Sequence, residues 1–404
     1  MVVEVINTGT ELLLGNTVNT HLAFLGQELF PLGLRVERQV TVPDGDAIRV
    51  ALTEAMGRAQ IIIVTGGLGP TTDDITREIV AEMFGLPLVE DPAVWEHIQS
   101  RFARRGLTMT PRNRRQAQVP QGARVLTNPH GTAPGLYLRR GDHHIFLMPG
   151  PPRELKPMFR DVVAPMLKEM VPGGSKIGSR RWLVTGIGES GVEAAVGEQL
   201  LAIPGLELGY CARAGIVEVR GIGEPEALAR AEAVITEKLS SHVAGEGSDA
   251  LEDILVPRLA QLGRKVATAE SCTGGRLANK ITSVPGASRV FEAGFITYAN
   301  EEKTRALGVP AQLIATHGAV SEPVARAMAE GALERAGADF ALATTGIAGP
   351  DGGTAEKPVG TVYIALAIRG GETRASRYFF PMDRATFQEM ASNTALDMLR
   401  SALP

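Results

Sequence analysis

IIIVTGGLGPTTDDIT, residues 61–76, opens as a run of β-branched residues and ends in a loop of glycines, a proline and paired aspartates. A short apolar run bounded by glycines reads as a buried strand, and the residues after Asp74 read as the start of a helix. A strand that hands glycines to a helix is the building unit of a mostly parallel sheet covered by helices. The flanking sequence agrees. Residues 2–7 are strand-like, 18–32 carry apolar residues at helical spacing, 35–40 alternate, and 47–58 are helical. In such sheets ligands sit beyond the carboxyl ends of the strands.

The same grammar returns in VATAESCTGGRLANK, residues 266–280, where a strand over 265–269 runs into Ser271, Cys272 and the pair Gly274-Gly275. Around it lie a helix over 251–262, strands over 291–298, 340–345 and 361–368, a helix over 321–336 and a C-terminal helix. Pro172-Gly173-Gly174-Ser175 and Gly245-Glu246-Gly247-Ser248 read as hinges. Between them stand a strand over 181–185, a helix over 190–201, a strand over 216–221 and a helix over 225–239. The expected fold class is α/β: two three-layer α/β domains, residues 1–171 and 250–404, joined by a small α+β module, residues 172–249.

Composition narrows the class of function. The chain has 404 residues, a net charge of −4 and 44% apolar residues, enough to bury a core in each domain. No apolar run approaches the roughly 18 residues of a membrane span. MVVEVINTGTELLLG has no basic leader region, so no signal peptide is read and a cytoplasmic location is expected. Cys211 and Cys272 stand alone, which argues against a disulfide framework or a cysteine-rich zinc site. The acidic balance makes a nucleic-acid partner unexpected. One basic segment departs from it: Arg101, Arg104, Arg105, Arg112, Arg114 and Arg115, readable as a solvated face or as an anchor for a phosphate or partner. Lysine is scarce, eight in all and none before Lys156, so a lysine inside a motif invites attention.

The loop at 65–76 suits an anion. Glycines admit close approach of the backbone, and a helix start offers N–H groups and the positive end of a dipole. Asp73 and Asp74 are placed to share a magnesium-like ion with a diphosphate, or Asp74 caps the helix. No lysine follows the glycines, so this is not a Walker loop. Asn128-Pro129-His130-Gly131-Thr132-Ala133-Pro134-Gly135 and Met148-Pro149-Gly150-Pro151-Pro152 are expected to complete the same site.

In the second loop either Ser271 or Cys272 could attack, with the amides of Thr273 and Gly274 as oxyanion donors. A thiol would call for a histidine, and only His317 lies downstream. A serine could use Lys303, five residues after Tyr298, if burial strips its proton; a surface lysine beside Glu301 and Glu302 is the alternative. Gly346 to Gly353 reads as a second anion cradle or a plain turn, and Asn300 and Arg384 as further ligand contacts. Cys211, without a neighbouring histidine, is read as structural.

GTELLLGNTVNT (9–20), TGGLGPTTDDIT (65–76), NPHGTAPG (128–135) and PGPPRELKPM (149–158) resemble the N-terminal half of the CinA family of competence/damage-inducible proteins. AESCTGG (269–275), TYANEEK (297–303), HGAVSEPVA (317–325), TTGIAGPDGGTAEKPVGTVY (344–363) and MDR (382–384) resemble its C-terminal half. The resemblance implies a molybdopterin-binding-like first domain acting as a metal-dependent ADP-ribose pyrophosphatase. It puts Asp73 and Asp74 at a divalent metal, Gly66, Gly67 and Thr71 at phosphate, and Asn128, Gly131 and Thr132 around the ligand. His21 and Asn16 depart from the family pattern. The middle module is implied to be KH-like. The last domain is implied to be a metal-free nicotinamide mononucleotide amidohydrolase with Ser271 as nucleophile, Lys303 and Tyr298 as its partners, and the chain a homodimer. The competing expectation is a catalytically silent pterin- or nucleotide-binding first domain in a protein that works through partners in competence or DNA repair.

Overall fold

The computed structural model describes residues 1–171, 176–247 and 250–404. The hinge at 172–175 and the last residue of the second, Ser248, lie outside the described residues. Two compact units are present, Met1–Lys176 and Ile177–Pro404.

The first unit runs β1 (Val3–Thr8), α1 (Thr10–Leu13), α2 (His21–Leu29), β2 (Val36–Val42), α3 (Ala47–Met56), β3 (Ile61–Thr65), α4 (Thr76–Met83), β4 (Leu88–Glu90) and α5 (Pro92–Arg105). It continues through β5 (Gln118–Pro120), β6 (Arg124–Leu126), β7 (Gly135–Arg140), β8 (His143–Met148), α6 (Pro152–Met158) and α7 (Ala164–Met170). Its main sheet has the order β2-β1-β3-β8-β7-β6. The four strands from β2 to β8 are parallel and the last two antiparallel. Every residue of Ile61–Thr65 is buried, because helices cover both faces of the sheet. Phe24, Leu25, Met158 and Phe159 fill one side, and Leu52, Ala55, Val80 and Leu136 the other. Each large side chain so buried contributes roughly 1.5–3 kcal/mol before entropy is charged. Strand order reverses between β1 and β3, so the carboxyl ends of these two strands mark the unit's binding crevice.

Two helix starts differ from expectation. Val18 is 82% exposed and α2 begins only at His21, whose N–H donates to Asn19 Oδ1 (3.0 Å). The helix after the glycine loop begins at Thr76, and Asp74 does not cap it: the Asp74 carboxylate takes the Thr71 amide (2.9 Å) and hydroxyl and closes the loop on itself.

In the second unit β9 (Gly178–Thr185), α8 (Glu189–Leu201), β10 (Glu207–Arg213), β11 (Ile216–Gly223), α9 (Pro225–Leu239) and β12 (Val243–Glu246) build an antiparallel sheet, β10-β11-β9-β12, packed against α8 and α9. Gly245 and Glu246, expected in a hinge, belong to β12 and pair with β9. The edge strand β10 is mostly exposed, which left no buried alternation to betray it; Cys211 sits there, exposed.

The chain then forms α10 (Leu251–Gln261), β13 (Val266–Glu270), α11 (Arg276–Ser283), β14 (Phe291–Ile296), α12 (Asn300–Leu307), α13 (Ala311–His317), α14 (Glu322–Ala336), β15 (Phe340–Gly346), β16 (Thr361–Ile368), β17 (Arg374–Phe379) and α15 (Arg384–Arg400). The sheet order is β14-β13-β15-β16-β17, with the first three strands parallel. Order reverses at β13, which ends one residue before Ser271. Leu183 and Ile216 of the middle sheet join Leu255, Phe387 and Leu396 in one core, so the middle module and the last domain form a single compact unit. No helix among the described residues is long and apolar enough to cross a membrane.

Candidate active sites

At the end of β13 the chain turns through Ser271-Cys272-Thr273-Gly274-Gly275 into α11. What shapes this turn is Glu270, fully buried, a residue the sequence reading passed over. Its Oε2 accepts from the Thr273 hydroxyl (2.7 Å), the Gly275 amide (2.9 Å) and the Leu277 amide (3.0 Å), and its Oε1 from the Ala278 amide (2.8 Å). A carboxylate on several free amides of a helix start is a strong, charge-assisted cap. The Gly274 amide donates to Ser271 O (3.2 Å). The expected anion-binding amides of Gly274 and of the helix start are therefore already used. The Thr273 amide has no acceptor among the described residues.

Ser271 and Lys303 meet. Lys303, on α12, is 1% exposed, and its Nζ lies 3.1 Å from Ser271 Oγ, 2.8 Å from Thr297 O and 3.2 Å from Tyr298 O. Burial lowers its pKa from the ordinary lysine value. An ammonium fills these three directions with three N–H bonds; a neutral amine keeps two on the carbonyls and turns its lone pair to the serine hydroxyl. The geometry thus prepares Lys303 as a base for Ser271. Cys272 points the other way, into the core at 4% exposure, and burial pushes its thiol up to about 12, far from a thiolate at neutral pH.

Tyr298 lies beyond the end of β14 rather than in it. Its carbonyl holds Lys303, but its side chain is 59% exposed and its hydroxyl accepts from Arg384 Nη2 (2.8 Å), with no described bond to Ser271 or Lys303. The phenol stands on the rim of the site. Arg384 also donates from Nη1 to Gly349 O (3.0 Å), tying the second glycine loop to Tyr298. Gly349 packs on Val359, which a Cβ would strike at 2.6 Å. Gly346 ends β15, paired with Val362. Asn300 opens α12, exposed. Gln388 of α15, unread in the sequence, donates to Cys272 O (2.9 Å) from behind the turn.

The first unit's crevice is a cavity of about 490 Å³ lined by Gly66, Gly67, Asp73, Asp74 and Thr132, among others. Gly66 and Gly67 have φ of 101° and 66°, and a Cβ on either would collide with Thr8 or Thr76. Beneath the cavity, Asn19 Nδ2 (2.9 Å) and Gln39 Nε2 (2.6 Å) donate to Asn7 Oδ1, while Asn7 Nδ2 donates to Thr65 Oγ1 (2.7 Å). His21 joins them with Nδ1 3.1 Å from Thr65 Oγ1, and burial keeps its pKa low.

Asn128 and Gly131 are tied into their own loop. Asn128 Nδ2 donates to Ala133 O (2.7 Å) and Glu154 Oε2 (2.9 Å), and its Oδ1 accepts from the His130 (3.1 Å) and Gly131 (2.9 Å) amides. All its hydrogen-bonding capacity is internal. A Cβ at Gly131 would run into Glu154. Thr71 spends its amide and hydroxyl on Asp74, leaving neither for a phosphate. The arginine-rich segment braces these loops from outside. Arg101 donates to Pro129 O (2.7 Å) and His130 O, Arg115 to Glu78 Oε1 (2.9 Å) and Thr71 O (3.4 Å), while Arg114 pairs with Glu90 (2.6 Å).

Five carboxylates line the cavity (Glu11, Asp44, Asp73, Asp74 and Glu154) and no lysine or arginine does. Glu11 and Glu154 fall inside the quoted stretches 9–20 and 149–158 but were not singled out there, and Asp44 falls in none of them. Among the described residues no three His, Cys, Asp or Glu side chains converge as a metal site by themselves.

Fold and crevices define a two-part α/β protein, and comparisons with known proteins give the parts names. Residues 4–169 match the family described as "Probable molybdopterin binding domain", and residues 248–403 match "CinA C-terminal domain". A CinA-like protein of Akkermansia muciniphila is 50% identical over 99% of this chain and 97% of its own. A CinA-like protein of Gemmatimonas aurantiaca is 42% identical over 100% of this chain and 96% of its own. The crystal structure of competence/damage inducible protein CihA from Agrobacterium tumefaciens covers 37% of this chain and 90% of its own at 44% identity, with a TM-score of 0.36. The chain belongs to the CinA family.

Proposed function

We propose that the chain is a bifunctional pyridine-nucleotide hydrolase, deamidating nicotinamide mononucleotide in its second unit and splitting ADP-ribose into AMP and ribose 5-phosphate in its first. The observation that carries the reading is the buried Lys303 amine on the Ser271 hydroxyl, 3.1 Å apart. Neutral Lys303 takes the Ser271 proton as Oγ attacks the carboxamide carbon. The Thr273 amide receives the oxyanion, and Lys303 returns the proton to the departing nitrogen, which leaves as ammonia. Water, deprotonated by Lys303, then opens the acyl ester and frees nicotinate mononucleotide and Ser271. The Ser–Lys pair completes this chemistry without a metal.

In the first unit Asp73 and Asp74 would hold a divalent cation such as magnesium. When bound, the ion neutralises and polarises the diphosphate. Gly66 and Gly67 let the backbone approach the phosphates, Thr132 lines the ligand space, and the surrounding carboxylates discourage a polyanion that arrives without its cation. A second reading keeps the first unit a pterin- or nucleotide-binding module in a protein acting through partners in competence or DNA repair; among the described residues no third His, Cys, Asp or Glu joins Asp73 and Asp74, which favours it.

One assay separates these. Ammonia from nicotinamide mononucleotide and AMP from ADP-ribose are measured on the same protein with magnesium and with EDTA. Deamidation is expected in both conditions and AMP release only with metal. Inert protein on the first substrate overturns the deamidase. Absence of AMP with ADP-ribose bound leaves the first unit a binding module. Light scattering reads the proposed homodimer.

A further inference from the structure

The middle module has no part in either reaction, yet it is built onto the last domain, with α15 among the helices that join them. The first half of α15 serves the Ser271 turn: Arg384 holds Tyr298 and Gly349, Gln388 holds the Cys272 carbonyl, and Glu389 pairs with Arg276 of α11 (2.7 Å). The second half is fastened to the middle module. Asn393 Nδ2 donates to Ala214 O (2.7 Å), the Thr185 hydroxyl donates to Asp397 Oδ1 (2.7 Å), and Arg400 donates to Ser241 O (3.0 Å).

Against that second half lies a cavity of about 620 Å³, walled by both modules and within the range of small-molecule sites. From the middle module come Ile187 and the β10–β11 turn at Gly215, whose φ of 77° and missing Cβ let it reach Met390. From the last domain come Tyr378, Phe380, Met390 and Met398. The Tyr378 and Phe380 rings lie nearly parallel, 5.7 Å apart and 21° inclined, making a continuous aromatic wall, and methionine sulfurs face rings favourably. Four charged residues line it, and one of them, Asp397, is paired with Arg400 (2.7 Å). Arg374 on β17 makes no ion pair among the described residues, and neither does Glu189 on α8; they are contributed by different modules. Arg213 is committed to Glu218 (2.8 Å).

An aromatic wall, a guanidinium and a carboxylate on separate walls match a flat ring that carries amino donors and an anionic group. We propose that this cavity is an effector site for a nucleoside monophosphate, and that its occupancy is transmitted along α15 to the Ser271 turn. The ring lies on Tyr378 and Phe380, an exocyclic amino group meets Glu189, and the phosphate meets Arg374. A ligand that holds the second half of α15 in one position favours one position of Gln388 and Arg384. The coupling is reciprocal, so a ligand at Ser271 tightens or loosens the effector by the same factor.

The test uses the full chain and AMP as probe, with adenosine and ribose 5-phosphate as its two halves. Calorimetry compares wild type, Arg374→Ala and Thr394→Trp, the last placing an indole in the cavity. Arg374 is exposed, so its variant folds even if the tryptophan variant does not. AMP affinity for this site is expected to fall about 10-fold or more in Arg374→Ala and to vanish in Thr394→Trp. Adenosine is expected to bind more weakly than AMP, and ribose 5-phosphate not at all. Binding at the first unit's cavity is common to all three proteins and subtracts. Hydrogen exchange of residues 271–276 reads the transmission without using either enzymatic activity: AMP is expected to change it in wild type and not in Arg374→Ala. Identical titrations in the three proteins overturn the site. Equal affinity for adenosine and AMP overturns the anion contact. Binding without altered exchange overturns the transmission.

Discussion

The two glycine turns of this chain begin alike and end as electrostatic opposites. Each follows a buried parallel strand at the point where strand order reverses, and each leads into an eight-residue helix. After β3 the turn overlooks a cavity lined by five carboxylates and no basic side chain. After β13 it overlooks a buried amine, with an arginine on the rim. Their internal carboxylates differ too. Asp74 folds back onto Thr71 and stays at the surface of its loop, whereas Glu270 is sealed beneath the turn and absorbs the helix amides. A strand–glycine–helix unit therefore supplies a place for chemistry, and the charge brought from elsewhere in the fold selects which chemistry. On the proposed function, one turn works with an imported cation and the other with a proton removed.

The contrast is broken most directly at its charged partners. Ser271→Ala and Lys303→Ala are each expected to lower deamidation by ~10⁴-fold or more, the scale for a nucleophile or its base, with AMP release unchanged. Steady-state ammonia assays check this; activity surviving in Lys303→Ala would remove the base from the mechanism. Asp73→Asn is expected to reduce AMP release from ADP-ribose by ~10²-fold and to leave deamidation intact. Manganese titration of the variant and the parent checks the same carboxylate without turnover.

Glu270→Gln sharpens the comparison through stability. The amide cannot accept as the carboxylate does, and its NH₂ faces donors, so a loss of about 2–3 kcal/mol is expected in urea unfolding. The equivalent change at the exposed loop, Asp74→Asn, is expected to cost well under that.

The smallest effects are in pH and thiol chemistry. Deamidation is expected to climb as pH rises through the lowered pKa of Lys303, with a half-rise below the ordinary lysine value of 10.5. The sign for stability is the same. The unfolded chain binds the proton more tightly, so the penalty of burying the ammonium is present at acid pH and is relieved as pH rises. Cys272→Ala is expected to stay within a few-fold of wild type, and iodoacetamide to leave activity untouched, since the buried thiol is held near 12. Inactivation by iodoacetamide that Cys272→Ala abolishes would return the nucleophile to the cysteine.

Much of this was readable from order along the chain. The parallel strands and the glycine turns at their ends follow from local patterns: apolar runs of strand length and glycine where φ turns positive; Ser271 and Lys303 were candidates with open alternatives, and their pairing was implied by the family resemblance. The exposed edge strand β10 was not readable, because periodicity registers burial and this strand has little. Asn128 was read as a ligand contact on the family resemblance, and Tyr298 as a partner of Lys303 on its place five residues before it and on the same resemblance. Only the fold shows that Asn128 satisfies itself and that the Tyr298 hydroxyl turns to Arg384.

Sequence by itself determined the α/β class, the family and the turns where chemistry is possible, since these depend on residues close together in the chain. The tertiary structure alone decided which charges face those turns: Glu11, Asp44 and Glu154 around one, Glu270 beneath the other, and α15 reaching from the Ser271 turn to the middle module. The physical reason is range. Propensity and hydrophobic pattern act over a few residues, whereas electrostatics and hydrogen bonding act over a few ångströms, and only folding converts one distance into the other.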